Sequence, residues 1–257
     1  MRRAVPVVAR QELALIRSEY LPFAIYFVMP LVILAFVQGV FEVYLRLVEG
    51  QGDVSGADLA APGQATMFGF MTLAGFGYLF LGEHGWGTWN RVRALGVRPW
   101  QIMTGKLSVA YILQLTLFAF VMIAAVLLFD LEVRGSIVAL VMIELATALV
   151  IIGYGLIAAA VANTQALFNA FAYLGALLLA GLGGALVPFS TLPGWARAIA
   201  PATPTYWAVS AYEQVILDGG GLADVVTELA VLLLFAVGFL LVGAWLFDPD
   251  KRRTTWA

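Results

Sequence analysis

Very few side chains in this sequence are of the types that carry out chemistry. The chain of 257 residues contains no cysteine and a single histidine, His84, which excludes a cysteine nucleophile and a zinc site built from several histidines. The pair Gly105-Lys106 resembles the end of a phosphate-binding loop. Such a loop also requires a glycine five residues before Gly105 and a Ser or Thr after the lysine, where this chain has Trp100 and Leu107. We therefore expect no catalytic residue, no metal ion and no cofactor in this chain.

One ionisable side chain stands inside a long apolar stretch. A carboxylate such as that of Glu144 is costly to place within a membrane, so it is a functional hypothesis by default. It could bind a cationic substrate, carry protons or pair with a polar side chain on a neighbouring helix. A purely structural hydrogen bond between helices is the alternative.

The composition indicates what kind of scaffold must position these residues. The chain is 62% hydrophobic and 12% charged, with a mean hydropathy of +0.94, whereas a soluble domain is about 45–50% apolar and about 25% charged. An ordinary soluble enzyme is therefore excluded. Long unbroken apolar runs, rather than short alternating segments, predict an all-α membrane protein.

Six stretches reach the roughly 20 apolar residues that a membrane-spanning helix needs. They are residues 21–45, 65–82, 107–129, 135–162, 166–187 and 223–247. Six spans place both termini on one side of the membrane. Of 14 Lys and Arg residues, only Arg46, Arg134 and Arg197 fall in the loops of the other side. Because cytoplasmic loops carry the positive excess, we expect both termini in the cytoplasm.

Residues 1–20 form a basic stretch of mixed polarity ahead of the first span. Leu13, Ile16 and Tyr20 recur at helical spacing, which favours an amphipathic helix on the inner membrane face. An unstructured positive leader is the alternative.

Residues 83–98 lie between the second and third spans, on the side with the positive excess. Thr88 could cap a short helix by accepting a backbone N–H, and Trp89, Val92 and Leu95 would then share one face. A helix this short is not stable alone. It must pack on lipid headgroups or in the groove of a partner protein.

Residues 188–222 connect the fifth and sixth spans and contain four prolines. The segments between the prolines are apolar and carry Trp and Tyr, which are typical of the membrane interface. We interpret them as two short helices that re-enter the outer leaflet, with an ordered external loop as the alternative.

The fifth span has a small residue at every fourth position. Small residues on one face allow helices to approach closely, which predicts packing at a dimer interface or against a neighbouring span, unless the pattern only reflects an alanine-rich composition. The residues are Ala172, Ala176, Ala180 and Gly184.

The second span is rich in aromatic residues and methionine. Such a surface could contact lipophilic substrates, although lipid-facing aromatics are the common explanation. The candidates for the substrate pathway are Phe68, Met71 and Phe76 together with Glu144, and Phe70, Tyr78 and Phe80 belong to the same surface.

The order of motifs along the chain resembles that of the permease subunit of ABC-2-type exporters. The segment after the second span carries the best match. Its matching residues are Glu83, Gly87-Thr88, Asn90-Arg91, Ala94-Leu95, Pro99 and Gly105-Lys106. Pro62-Gly63 and Leu192-Pro193-Gly194-Trp195 resemble further family segments, whereas Gly96-Val97-Arg98 departs from the family pattern.

The resemblance implies that residues 83–98 contain a coupling helix, which contacts a separate ATPase subunit. It also implies two copies of that ATPase, a second permease that is identical or homologous, and ATP and Mg bound by the ATPase. Spans two and five would line the pathway in a bacterial cytoplasmic membrane, with no nucleic acid involved. The coupling residues on this interpretation are Glu83, His84, Gly87, Thr88, Trp89, Arg91, Val92 and Leu95.

The resemblance implies export of a lipophilic or amphipathic substrate, such as a drug, an antibiotic or a lipid-like molecule. Three alternatives differ in mechanism or cargo. They are a secondary transporter driven by an ion gradient, a permease for a polysaccharide or lipid-linked polymer, and a membrane-embedded enzyme. A secondary transporter is disfavoured because we see no inverted halves with broken helices. An enzyme would need a catalytic cluster.

Overall fold

The structure, a computed structural model, describes residues 4–47, 54–85, 87–249 and 251. Within these residues the chain is helical and contains no strand. The helices are α1 (Ala4–Ser18), α2 (Tyr20–Leu47), α3 (Gly56–Gly85), α4 (Thr88–Ala94), α5 (Pro99–Leu128), α6 (Ile137–Val161), α7 (Gln165–Leu182), α8 (Gly194–Ile199), α9 (Pro204–Ile216) and α10 (Val226–Leu246). Two 3₁₀ turns, Phe189–Thr191 and Ala200–Ala202, flank α8.

Six of these helices, namely α2, α3, α5, α6, α7 and α10, are long and apolar enough to cross a membrane. The predicted all-α fold with six spans is therefore confirmed. Two spans begin earlier than their apolar runs. The helix α3 begins at Gly56 rather than residue 65, and α5 begins at Pro99 rather than residue 107. Pro99 occupies the first turn of α5, where its missing N–H costs no hydrogen bond.

The second span, α3, is the central helix of the bundle. Its most apolar window is 78% buried, against 17% for α2 and 22% for α10. The helix packs against α2, α5 and α7. The helices α6 and α10 form the other main pair, and α1 lies along α5.

The two ends of the bundle differ in their elements. One end, which we call the terminal side, carries α1, α4 and the described residues that follow α10. The other end, the opposite side, carries α8 and α9. There, Asp58 accepts a hydrogen bond from the backbone N–H of Glu132, and Ser55 donates to the carbonyl of Phe129.

The two segments expected at the membrane surface are present as helices. The helix α1 buries Val8 and Glu12 against the bundle, and α9 packs on α6 and α10. Their depth in the membrane remains a prediction.

Candidate functional site

The helix α4 has seven residues, and its N-cap is Gly87 rather than Thr88. Gly87 precedes the helix with a φ of 71°, and no side chain caps the helix start. The hydroxyl of Thr88 instead donates to the carbonyl of Glu83 at 3.1 Å. The predicted cap by Thr88 is therefore wrong, because its hydroxyl connects α4 to the end of α3.

The three apolar residues predicted on one face of α4 have different surroundings. Trp89 is 2% exposed and Leu95 is 84% exposed, whereas Val92 is half-buried. Leu95 is the C-cap residue, beyond the last helical residue Ala94, so the helical spacing does not extend to it. The expectation of one shared face is corrected: Trp89 points into the bundle and Leu95 points away from it.

The indole of Trp89 is held by residues from both α3 and the chain after α10. Its ring lies edge-on to Phe80 at a centroid distance of 6.1 Å and to Phe247 at 6.4 Å. Its Nε1–H donates to the carbonyl of Pro249 at 3.2 Å. The donor that a buried indole must satisfy is thereby paired.

Lys251 extends this connection to the fourth span. Its Nζ donates to the carbonyls of Ala160 at 3.0 Å and Val161 at 2.9 Å. These carbonyls end α6, where a helix leaves its last acceptors unpaired and where a cation is favoured by the helix dipole. We call residues 247–249 and 251 the tail segment.

A buried group of three charges joins α1, α3 and α5 nearby. The Nζ of Lys106 lies 2.6 Å from Oε2 of Glu12 and 3.1 Å from Oε1 of Glu83. The exposed fractions of these side chains are 6%, 2% and 9%, so the charges are stabilised by one another rather than by water. Glu83, predicted to contact an ATPase, thus lies inside the bundle. We call these residues the charged triad.

The predicted coupling segment and the start of α5 also carry exposed side chains on the terminal side. Leu95 and Trp100, which is 57% exposed, are the apolar ones among them. Arg91 and Arg98 are also exposed and provide positive charge. We call Leu95, Trp100, Arg91 and Arg98 the α4 surface. The backbone of His84 lies in α3, but its side chain lies outside what the structure describes.

The aromatic and methionine candidates of the second span differ in burial, and Tyr78 among them is 38% exposed. Phe68 is buried, Met71 is half-buried, and Phe76 packs edge-on against Phe23 at 5.7 Å. A cavity of about 40 Å³ adjoins Phe76 and Lys106. Ligand pockets usually measure about 300–1,000 Å³, so this cavity cannot hold a drug-sized molecule in the conformation described.

Glu144 lies deep in the bundle and is 5% exposed. Its Oε2 accepts a hydrogen bond from the hydroxyl of Tyr212 at 3.0 Å, while its Oε1 has no partner among the residues that the structure describes. Glu144 therefore joins α6 to α9. The sequence did not indicate Tyr212 as the partner, because the two residues lie on helices far apart in the chain.

The small residues of the fifth span do not all belong to one helical face. Ala172, Ala176 and Ala180 are fully buried on α7, which packs mainly against α3. Gly184 lies past the end of α7 with a φ of 85°, so its assignment to this face is corrected. The alanines are covered within the chain.

These features define a multi-pass membrane protein whose terminal side combines a short connecting helix, a charged triad and exposed apolar and basic side chains. The family described as "ABC-2 type transporter" matches residues 5–217. The chain belongs to this family, as the resemblance of its motifs predicted, and is a membrane subunit of an ABC transporter.

The linearmycin resistance permease protein LnrN of Bacillus subtilis (strain 168) is a relative of this chain. It is 24% identical over 176 residues, which are 68% of this chain and 46% of that protein. The chain thus spans about half the length of this curated relative. No solved structure matches the chain.

Proposed function

We propose that this chain is the permease subunit of an ATP-driven exporter in a bacterial cytoplasmic membrane. It carries a lipophilic or amphipathic substrate from the cytoplasm or inner leaflet outward. A separate ATPase, present in two copies, binds ATP and Mg and supplies the energy. A second permease, identical or homologous, completes the assembly.

The observation that carries this proposal is the arrangement of α4. The helix is tied to the bundle through Trp89, yet Leu95 at its end is 84% exposed. An exposed apolar side chain with arginines close by in the sequence is the kind of anchor that fills a pocket on a partner protein. Arg91 and Arg98 match an acidic rim, which favours fast and specific association.

The membrane orientation follows from charge. The terminal side carries the α4 surface and α1, and the sequence concentrates its Lys and Arg on this side. The positive-inside rule supports a cytoplasmic location for it. Only a cytoplasmic face can meet an ATPase that uses cellular ATP.

The class of substrate is inferred from the relative and from the chain itself. The relative is named a resistance permease for linearmycin, which supports an antibiotic or a similar toxic amphiphile as the substrate here. The described residues include no large folded unit on the opposite side, which favours small molecules over a polymer.

Replacing Leu95 with Asp tests the proposed ATPase contact. A charge at the centre of an apolar contact should weaken association by about 2 kcal/mol or more. We expect loss of the ATPase from the purified complex and loss of ATP-dependent export in vesicles. Gly87, Thr88 and Val92 belong to the same predicted coupling segment, and their part in coupling to the ATPase is proposed along with that of Leu95.

Leu222→Asp provides the matched control, because Leu222 is also exposed, at 42%, but lies on the opposite side. It should leave ATPase binding intact. Normal ATPase binding by Leu95→Asp would contradict the proposed contact. Export driven by an imposed ion gradient with no ATPase present would instead support a secondary transporter.

A further inference from the structure

The tail segment connects α4 to two spans at once. Phe247 and Pro249 hold the indole of Trp89, and Lys251 holds the last carbonyls of α6. Phe247 directly follows α10. The contacts of Trp89 therefore lead to the sixth span along the backbone and to the fourth span through Lys251.

The fourth and sixth spans form one tightly packed unit. A Cβ atom added at Gly153 of α6 would lie 2.8 Å from the Cβ of Phe239, and one added at Gly243 of α10 would lie 2.8 Å from Leu156 Cγ. Such close approach occurs on both helices, so neither can shift far without the other. We call this pair the α6–α10 unit.

We propose that Trp89 is a positioning residue that fixes the coupling helix to the α6–α10 unit through the tail segment. This inference rests on the proposed function. When the ATPase displaces α4, Trp89 carries the displacement to Phe247 and Pro249, and the fourth and sixth spans follow. The predicted role of Trp89 as an ATPase contact is replaced by this internal role.

The burial of Trp89 distinguishes the two roles. Its side chain is 2% exposed, and its one hydrogen-bond donor already reaches Pro249. Leu95 offers apolar surface to a partner, whereas Trp89 offers none. The α4 helix therefore has a partner-facing end and a bundle-facing side, and each can be altered separately.

The same connection reaches the opposite side of the bundle. The α6–α10 unit contains Glu144, which accepts the hydrogen bond from Tyr212 of α9. A contiguous set of packed and hydrogen-bonded groups thus joins α4 to α9. Spatial continuity alone does not demonstrate coupling, so the test must measure the response to nucleotide.

The test compares Trp89→Ala and Trp89→Phe with the unmodified chain, each in complex with the ATPase and reconstituted in vesicles. For Trp89→Ala we expect normal ATPase binding and continued ATP hydrolysis, with export per ATP hydrolysed falling by about tenfold. Trp89→Phe keeps the ring contacts and loses the N–H donor. Its export per ATP hydrolysed should therefore lie between that of the unmodified chain and that of Trp89→Ala. Trp195→Ala, at a residue that is 66% exposed on the opposite side, is the matched control.

A fluorescent reporter on α10 separates positioning from general destabilisation. The chain has no cysteine, so Trp245→Cys, at a residue that is 84% exposed, gives a single labelling site in this chain, which is labelled before the ATPase is added. A non-hydrolysable ATP analogue should change the reporter signal when the labelled chain in the complex retains Trp89. It should leave the signal unchanged when the labelled chain carries Trp89→Ala.

Two results would overturn the inference. One is loss of ATPase binding by Trp89→Ala, which would make Trp89 a partner contact. The other is unchanged export per ATP together with an unchanged reporter response. Should Trp89→Ala fail to fold, Trp89→Phe and Lys251→Ala must still lower the reporter response, and an unaltered response in both would overturn it. Failure of the proposed function is seen separately, as absence of ATPase binding by the unmodified chain.

Discussion

The charged triad illustrates how single residues decide the stability of the terminal side. Lys106 contacts two buried carboxylates, those of Glu12 and Glu83. Removing one partner of a buried pair leaves an uncompensated charge, which costs about 3–5 kcal/mol. Lys106 therefore holds α1, α3 and α5 together at a point where water does not screen the charges.

We expect Lys106→Met to lower the unfolding temperature of the purified protein markedly, because Glu12 and Glu83 would then repel each other without a counter-charge. Thermal unfolding in detergent measures this. The triple change of Glu12→Gln, Glu83→Gln and Lys106→Met should recover most of the loss, since it removes all three charges. Arg10→Met, at an exposed position of α1, is the control. Equal unfolding temperatures for Lys106→Met and Arg10→Met would contradict this prediction.

Glu144 has a structural partner, and this changes what its substitution should do. In Glu144→Gln the amide oxygen can still accept the hydrogen bond of Tyr212, so we expect export to be retained. Tyr212→Phe removes the donor and leaves a buried carboxylate without it, which should destabilise the fold by about 1–3 kcal/mol.

Thermal unfolding and vesicle export of the two variants check this prediction. Tyr20→Phe, at a residue that is 67% exposed, controls for the loss of a hydroxyl. Loss of export in a well-folded Glu144→Gln protein would show that the carboxylate acts in transport rather than as a hydrogen-bond acceptor.

At the scale of elements, the alanine face of α7 determines how closely two spans approach. Ala176 is fully buried, so Ala176→Leu has no space for the added carbons and should destabilise the chain by about 1–3 kcal/mol. Leu177→Ala, at a neighbouring residue that is 51% exposed, should have little effect on folding. Unfolding of the two variants in detergent gives the comparison, and an unchanged stability of Ala176→Leu would mean that this face is not packed.

The long apolar elements could be predicted from the sequence, and their ends could not. Hydropathy detects the apolar run after Lys106, yet α5 begins at Pro99, because the backbone N–H of Arg98 is paired with Gln101 Oε1 at 3.0 Å. Similarly, Thr88 had the right chemistry for a cap, but Gly87, with its positive φ, occupies the N-cap position. The hydroxyl of Thr88 therefore bonds to the carbonyl of Glu83 instead.

The buried position of Trp89 also could not be predicted from the sequence. A two-turn helix with an apolar stripe can present that stripe to the bundle or to a partner, and the period is the same in both cases. The contacts that decide between them, Phe247 and Pro249, lie at the far end of the chain. An ion pair between Glu83 and Lys106 could have been predicted, because Glu83 follows the second span and Lys106 precedes the third on the same side of the membrane. The contact of Lys106 with Glu12 could not, because Glu12 lies far away in the sequence.

At the scale of the whole molecule, the burial of the spans is uneven. The window of α3 is mostly enclosed, whereas those of α2, α7 and α10 are 17%, 28% and 22% buried. Apolar surface of this extent must face lipid or another protein. Since the alanine face of α7 is covered by the chain itself, the exposed side of α7, which carries Leu174, Leu177 and Leu178, is the side left for lipid or a second permease.

The pairing of α6 with α10 has a consequence for biogenesis. During translation α6 enters the membrane well before α10 has been synthesised, so the surface around Gly153 and Leu156 faces lipid until the sixth span is inserted. Lys251 can reach the end of α6 only after that step. The nascent protein therefore passes through a half-assembled stage, and a chain truncated before α10 would leave the packing surface of α6 uncovered.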